Sequence, residues 1–85
     1  MPYSIRFTPR ALRDFAAFDR ATQQRLQRRI DRLAQNPYPA GGKKLQAEEP
    51  FYRIRVGDYR VIYQVEPQEL LVVVVKIGHR REVYR

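Results

Sequence analysis

Three arginines stand close together in a stretch that also has the pattern of a β-hairpin. Residues 51–65 read FYRIRVGDYRVIYQV, with Arg53 and Arg55 before Gly57-Asp58 and Arg60 after it. A guanidinium group carries a planar set of donors that matches a phosphate bidentately, and arginine keeps its charge at any ordinary pH. The chemistry that these side chains permit is the binding of a phosphate group and the stabilisation of charge on it.

The hairpin register places the three arginines on one face. Glycine at the first central position of a two-residue loop favours a type II′ turn, so Arg55 faces Arg60 and Arg53 faces Ile62. Like charges directly opposite each other destabilise a hairpin, and the pattern therefore predicts an anion at this face. A solvated outer face is the alternative that the same residues allow. The opposite face is apolar and consists of Tyr52, Ile54, Val56, Tyr59, Val61 and Tyr63.

Two groups able to move a proton follow the last apolar run. They are His79 and Tyr84, and each also permits a structural reading, as an exposed histidine or a tyrosine packed on the sheet edge. The chain has no P-loop, HExxH motif or cysteine, and its nine acidic residues are scattered, which disfavours metal-dependent hydrolysis. Metal-free phosphate chemistry without a cofactor remains. RNA suits it, because its 2′-hydroxyl is an internal nucleophile beside the scissile phosphate.

The charge balance predicts a polyanionic partner. The chain carries 17 lysines and arginines against nine acidic residues, a net charge of +8 and a pI near 10.4. Nucleic acid or an acidic protein fits this charge, while a high-GC genome that favours arginine codons is the alternative. Lys43 and Lys44, which end a loop, and Arg81 in the tail are further candidate RNA contacts, although solvated charges also explain them.

No targeting or membrane segment is expected. The N-terminal residues MPYSIRF lack the apolar core of a signal peptide, and the longest apolar run, Leu70 to Val75, is far too short to span a bilayer. The lack of cysteine fits the cytoplasm. We expect a soluble cytoplasmic protein that does not contact the membrane.

A short strand and a first helix precede the arginines. Tyr3 to Phe7 alternates as a strand does, and Thr8 as N-cap with Pro9 at the first helical position begins a helix that runs to about Phe18. Its predicted apolar stripe is Leu12, Phe15, Ala16 and Phe18.

A second helix follows almost without a linker. Asp19 or Thr22 can cap it, and Asn36-Pro37 ends it because the residue before proline avoids the α region. Its apolar positions are Leu26, Ile30 and Leu33. The short connection predicts an antiparallel helical hairpin.

The remaining elements set the fold class. Glu66 to Glu69 predicts a reversal around Pro67. Leu70 to Ile77 is apolar at nearly every position apart from Lys76, which is typical of a central strand buried on both faces. The order β-α-α-β-β-β, with room for a short last strand, predicts one α+β domain over residues 1–85. A mostly antiparallel sheet would carry the two-helix hairpin on one face and leave the arginines open on the other.

The chain resembles the RelE/ParE superfamily of bacterial type II toxins, and within it the RelE-like messenger-RNA interferases. The resemblance rests on YSIRFTPRALRDF, NPYPAGGKKLQ, YRIRVGDYRVIYQV and VVKIGHRREVYR, and it spans nearly all 85 residues. It implies a toxin that enters the ribosomal A site, contacts ribosomal RNA and cuts the bound mRNA through its 2′-hydroxyl, without metal. It also implies a RelB-like antitoxin as partner, with operator DNA bound only through the toxin-antitoxin complex.

The resemblance further implies roles for single residues. Basic residues of the family correspond to Arg53 and Arg55, an arginine at the place of Arg60 is expected to stabilise the transition state, and Arg80 and Tyr84 match a late basic residue and a late tyrosine. The best-known member has lysines where Arg53 and Arg55 stand, and arginine does not release its proton. The base would then be His79 or Tyr84, or the reaction would run on charge stabilisation. A ParE-like toxin that inhibits DNA gyrase, or an inactive antitoxin-binding relative, stays open.

Overall fold

A mixed sheet with two helices on one face makes up the fold. The structure is a computed structural model that describes residues 2–39, 43–44 and 51–79. Its elements in chain order are β1 (Ser4–Phe7), α1 (Pro9–Ala16), α2 (Arg20–Leu33), β2 (Lys43–Lys44), β3 (Phe51–Val56), β4 (Tyr59–Glu66) and β5 (Leu71–His79). The predicted α+β class and the order β-α-α-β-β-β are confirmed, and the two-residue strand β2 is an addition to that order.

The strands lie in the order β1-β5-β4-β3-β2. Strands β2, β3, β4 and β5 each pair antiparallel with their neighbours in this set, whereas β1 lies parallel to β5. A 3₁₀ turn at Pro67–Glu69 joins β4 to β5 where the reversal was predicted. The prediction for β5 is correct in part: the strand is interior, but Leu71, Val73 and Val75 are only half-buried because both helices pack on the other face.

Helix α1 begins as predicted but buries a different stripe. The hydroxyl of Thr8 accepts a hydrogen bond from the backbone N–H of Ala11 at 3.1 Å, and Pro9 opens the helix. The prediction of Leu12 and Ala16 as core residues is wrong, because Leu12 is 55% exposed and Ala16 is exposed as well. Ala11 is fully buried in their place, since α1 is rotated to aim Asp14 at β5. The helix also ends two residues before the expected Phe18.

Helix α2 follows the predicted pattern closely. Asp19 occupies the N-cap position, although its side chain makes no capping hydrogen bond, and the helix ends at Leu33, shortly before Asn36-Pro37. Leu26, Ile30 and Leu33 are buried at i, i+4 and i+7, as the apolar spacing predicts. Within the described ranges, neither helix is long and apolar enough to cross a membrane.

The core lies between these helices and the apolar face of the sheet. Tyr63 is its largest fully buried side chain, and its hydroxyl donates to the carbonyl oxygen of Pro37 at 2.8 Å. Burial raises the pKa of Tyr63 to about 12, so the phenol stays protonated and keeps this bond at neutral pH. The other buried core residues are Ala11, Leu26, Ile30, Leu33, Ile54, Val56, Val61, Val65, Val72, Val74 and Ile77.

Candidate anion-binding face

The β3–β4 hairpin has the predicted register. Gly57 has φ of 61°, whereas Asp58 has no positive φ, as a type II′ turn requires. The observed pairs are Val56 with Tyr59, Arg55 with Arg60, Ile54 with Val61, and Arg53 with Ile62. The three arginines therefore share the face of the sheet that points away from the helices.

The three arginines are held to different degrees. Arg53 and Arg60 are half-buried, and the Nε atom of Arg60 is shielded from solvent. Arg55 is exposed, and its Nε donates to the carbonyl oxygen of Gly57 at 3.2 Å, which draws its side chain toward the turn. The residue across from Arg60 on β5 is Gly78, which has no side chain to compete with the guanidinium for space.

A fourth cation joins this face because the pairing of β4 with β5 shifts by one residue. Ile62 pairs with Lys76 and the next residue, Tyr63, pairs with Val74, so Val75 has no direct partner on β4. Such an extra residue reverses the alternation of the strand. Without the shift, Lys76 would share the inward face of Val72 and Val74, where a buried ammonium costs several kcal/mol. The shift places Lys76 beside the arginines instead.

Thr8, the N-cap of α1, and Asp14 of α1 form hydrogen bonds to the shifted part of β5. Strand β1 ends at Phe7, in register with Val74, and cannot pair with the residues that follow. Thr8 replaces it: its backbone N–H donates to the oxygen of Val74 at 2.9 Å and its hydroxyl donates to the oxygen of Val75 at 3.0 Å. The carboxylate of Asp14 accepts from the backbone N–H of Ile77 at 3.0 Å. These three hydrogen bonds tie the shifted part of β5 to the start of α1.

We call Arg53, Arg55, Arg60 and Lys76 the cationic face. Arg53 and Lys76 lie on the strands to either side of Ile62, which is only 8% exposed although both helices pack on the opposite side of the sheet. The aliphatic stems of such side chains shield apolar surface while their charged ends reach solvent. An anion at this face therefore meets several positive charges around the buried side chain of Ile62.

The nearest acidic residue of β4 lies at the other end of the strand. Glu66 shares the face of Arg60, but it follows Ile62 and Gln64 along the strand. Its carboxylate accepts a hydrogen bond from Nε2 of Gln64 at 2.6 Å. The positive end of the face, next to the hairpin turn, is thus kept apart from this carboxylate.

The structure separates His79 from the arginines. His79 pairs with Tyr59 at the end of β5, and the two rings meet edge to face with their centroids 6.1 Å apart. Tyr59 also packs on Phe18, with a centroid distance of 5.0 Å. The register shift that turns Lys76 outward turns His79 toward the helices, so His79 and the predicted arginines lie on opposite faces of the sheet.

The other candidates from the sequence are placed only in part. Lys43 and Lys44 form β2, in register with Arg53 and Tyr52 of β3. Arg80, Arg81 and Tyr84 lie outside the described residues, and their roles stay predictions. Lys76 was missed, although the sequence holds a signal: Val72, Val74 and Lys76 cannot all face the core, and a change of register resolves the conflict.

Helix α2 carries a second basic surface. Arg25, Arg28 and Arg32 are exposed and Arg29 is half-buried. Together with Val56 and Gly57 these four arginines line a cleft of about 200 Å³ at the hairpin tip. A guanidinium nitrogen of Arg25 lies 2.6 Å from where a side-chain carbon on Gly57 would stand. This surface lies on the helical side of the sheet, away from the cationic face.

Fold and site define a class of small basic α+β proteins whose sheet presents cations on the side away from its helices. A sequence model of the family described as "ParE toxin of type II toxin-antitoxin system, parDE" matches residues 5–84. The chain therefore belongs to this family of type II toxins, within the RelE/ParE superfamily. This confirms the resemblance seen in the sequence.

Relatives from the RelE branch match over nearly the full chain. Toxin RelG of Mycobacterium tuberculosis is 28% identical over 86 residues, covering 100% of this chain and 99% of its own. The mRNA interferase toxin RelE of Escherichia coli is 27% identical over 88 residues, covering 99% and 92%. A chain of the RelBE2 toxin-antitoxin complex of M. tuberculosis superposes with a TM-score of 0.84 at 28% identity, covering 94% of this chain and 100% of its own. The protein is thus a RelE-like toxin.

Proposed function

We propose that this toxin is an endoribonuclease that cleaves messenger RNA in the ribosomal A site, without metal or cofactor. The observation that carries the proposal is the cationic face, where the register of three strands gathers Arg53, Arg55, Arg60 and Lys76. The similarity to an mRNA interferase toxin of E. coli supports it. The scissile phosphate would lie over this face.

The reaction is an internal phosphoryl transfer. The 2′-hydroxyl attacks the adjacent phosphorus, the bond to the 5′-oxygen of the next nucleotide breaks, and the products are a 2′,3′-cyclic phosphate and a 5′-hydroxyl end. The pentacoordinate transition state carries more negative charge on its oxygens than the ground state does. Arg60 is suited to stabilise that charge because its side chain is half-buried and its Nε is enclosed, so that a donor stands at the face before RNA binds. Arg53, Arg55 and Lys76 hold the backbone on both sides.

Proton transfer is assigned to the end of the chain. Arg53, Arg55 and Arg60 do not release protons, and His79 packs on Tyr59 on the opposite face. We therefore propose Tyr84 as the proton-transfer or base-stacking group and Arg80 as a further phosphate contact. The scarcity of acid-base groups fits a reaction that depends on the ribosome to align the 2′-hydroxyl with the scissile bond.

The proposed partner that controls the toxin is a RelB-like antitoxin in the cytoplasm. The support is the similarity to a chain of the RelBE2 toxin-antitoxin complex, in fold and over the full length of that chain. Operator DNA would be bound only through the toxin-antitoxin complex. Lys43, Lys44 and Arg81 are proposed as additional contacts to RNA.

Mapping of messenger 5′ ends tests the proposal. The protein is expressed with and without the neighbouring reading frame, and we expect codon-phased cuts in translated regions only when the toxin is free. Arg60→Ala should abolish the cuts. Arg28→Ala removes the same charge from an exposed position on α2 and should leave the cuts unchanged. Intact messenger together with growth arrest would contradict a ribonuclease.

Inhibition of DNA gyrase is the second candidate, because the matching family model describes ParE toxins. On that proposal the protein binds gyrase through its surface and needs no phosphate site. DNA damage with intact messenger, unchanged by Arg60→Ala, is the result that would establish it.

A further inference from the structure

One aromatic side chain lies on the same face as the cations. Phe51 begins β3, pairs with Gln64 and precedes Arg53 by two residues, so it shares the face of the arginines. It is partly exposed.

The other aromatic side chains of the described ranges have structural partners. Tyr63 is in the core, and Tyr38 meets the ring of Tyr52 with a centroid distance of 5.4 Å. The aromatic residues packed against the core are Tyr3, Phe7, Phe15, Phe18, Tyr52 and Tyr59. Among the described residues, Phe51 has no ring-to-ring contact and does not belong to the set packed against the core.

We propose that Phe51 is a stacking platform for one base of a single-stranded RNA whose phosphates lie on the cationic face. This inference rests on the proposed ribonuclease function. The register arranges the face in rows across the strands. Phe51, Gln64 and Val73 form an uncharged row, and the next row contains Arg53, Ile62 and Lys76. Residues two apart on a strand lie about 7 Å from each other, which is within the span of one nucleotide.

This combination of side chains selects for single strands. Proteins that hold single-stranded nucleic acid place cations along the backbone and aromatic rings under the bases. A duplex keeps its bases stacked internally and offers phosphates but no free base face. Phe51 would therefore add little to the binding of a duplex. An acidic protein offers carboxylates to the cations and side chains, not bases, to the ring of Phe51, and an abasic control tests for the base.

A fluorescent variant tests the contact directly. The chain has no tryptophan, so Phe51→Trp introduces a single reporter into the uncharged row. A short single-stranded oligoribonucleotide should quench its emission, whereas an abasic oligomer with the same number of phosphates should not. Equal quenching by both, or quenching by neither, would overturn the stacking proposal.

Affinity measurements separate stacking from the phosphate site. Phe51→Ala should weaken binding of the oligoribonucleotide about 5- to 150-fold and leave binding of the abasic oligomer unchanged. Phe51→Leu is the matched control: it keeps an apolar side chain, removes the ring and should show nearly the same loss, which also carries the test if the alanine variant does not fold. Equal losses for both oligomers would contradict stacking.

The variant Arg60→Ala distinguishes a failure of the stacking proposal from a failure of the proposed ribonuclease function. It should weaken binding of both oligomers, because both carry phosphates. If it does so while the Phe51 variants bind normally, the stacking proposal alone is wrong. If neither Arg60→Ala nor the Phe51 variants affect binding, RNA does not use this face and both proposals fail.

Discussion

The protein has two basic surfaces, and the one with more positive charge is not the one that offers a site. Helix α2 carries Arg20, Arg25, Arg28, Arg29 and Arg32 in 14 residues, and its exposed arginines extend into solvent on long stems. The cationic face has fewer charges, but their positions are fixed by three strands. Arg60 has a shielded Nε, and Arg55 is bonded to the hairpin turn.

This difference separates attraction from catalysis. Exposed charges draw a polyanion from a distance, and salt screens their effect. Stabilisation of a transition state instead needs donors that already stand where charge develops. We therefore expect both surfaces to affect the salt dependence of RNA binding, and only the cationic face to affect the rate of cleavage.

The largest expected effect is that of Arg60→Ala. Loss of one preorganised donor at a developing oxyanion lowers a rate by about 10²- to 10³-fold. Cleavage of ribosome-bound messenger measures it, with Arg28→Ala as the control that removes the same charge from α2. We expect the control to stay within about twofold of the parent protein, since surface substitutions away from a site have small effects. Equal losses in the two variants would show that net charge, and not position, drives cleavage.

The next effect concerns the support of the cationic face. Asp14→Ala leaves the N–H of Ile77 without its acceptor, and a buried donor without a partner destabilises by about 1–3 kcal/mol. Asp14→Asn keeps an acceptor for this N–H and should lose less stability than Asp14→Ala. Urea unfolding measures the free energy of unfolding in each variant.

Arg10→Ala is the control for Asp14. It removes an exposed ion pair with a 3.4 Å separation while leaving the bond to β5 intact. Exposed pairs contribute little, so this variant should unfold near the parent midpoint. A larger loss for Arg10→Ala than for Asp14→Ala would assign the role of Asp14 to the ion pair instead.

The hydrogen bonds of Thr8 and Asp14 to β5 explain why the sequence predicts one half of the cationic face and not the other. The register of Arg53, Arg55 and Arg60 follows from Gly57-Asp58, a local signal within a few residues. The position of Lys76 depends on Thr8 and Asp14, which lie more than 60 residues earlier in the chain. A shift stabilised at such a sequence distance leaves no local turn signal.

A hydrogen bond to a residue far along the chain also accounts for the wrongly predicted apolar stripe of α1. Apolar periodicity gives a stripe of Leu12, Phe15 and Ala16, but the bond of Asp14 to β5 fixes the rotation of the helix and turns Ala11 inward. In α2, for which the described residues show no side-chain hydrogen bond to the sheet, the predicted stripe is correct. Periodicity thus succeeded where burial alone orients the helix.

A third prediction tests the helical side of the sheet. Tyr63→Phe removes the hydrogen bond to Pro37 and should destabilise by about 1 kcal/mol without changing cleavage at neutral pH. The contribution of the Tyr63 phenol to the free energy of unfolding also depends on pH. The folded pKa is raised to about 12 from 10.0, so the stabilisation is complete below pH 10 and is lost as pH rises toward 12.

The difference in the free energy of unfolding between the parent protein and Tyr63→Phe reports mainly on this group, because the other tyrosines and the lysines are present in both proteins. The difference should shrink between pH 10 and 12. A constant difference across that range would mean that the Tyr63 phenol titrates alike in the folded and unfolded states.

A smaller effect is expected for Lys76→Met, which keeps an apolar stem beside Ile62 and removes one charge. The slope of log affinity against log salt for single-stranded RNA should fall by about 0.7, the value for one phosphate contact. Binding titrations at several salt concentrations measure it. An unchanged slope would place Lys76 outside the RNA path.

The smallest effect on cleavage is expected where the charge is densest. Arg28→Gln combined with Arg32→Gln removes two exposed charges from α2 and leaves the strands untouched. The rate of messenger cleavage at saturating substrate should change less than about twofold, because neither side chain is fixed near the reacting phosphate. The affinity for RNA at low salt can still fall, since distant charges act on encounter and salt screens them. A loss in the saturated rate that approached that of Arg60→Ala would move the site to α2, since only groups that contact the transition state change that rate.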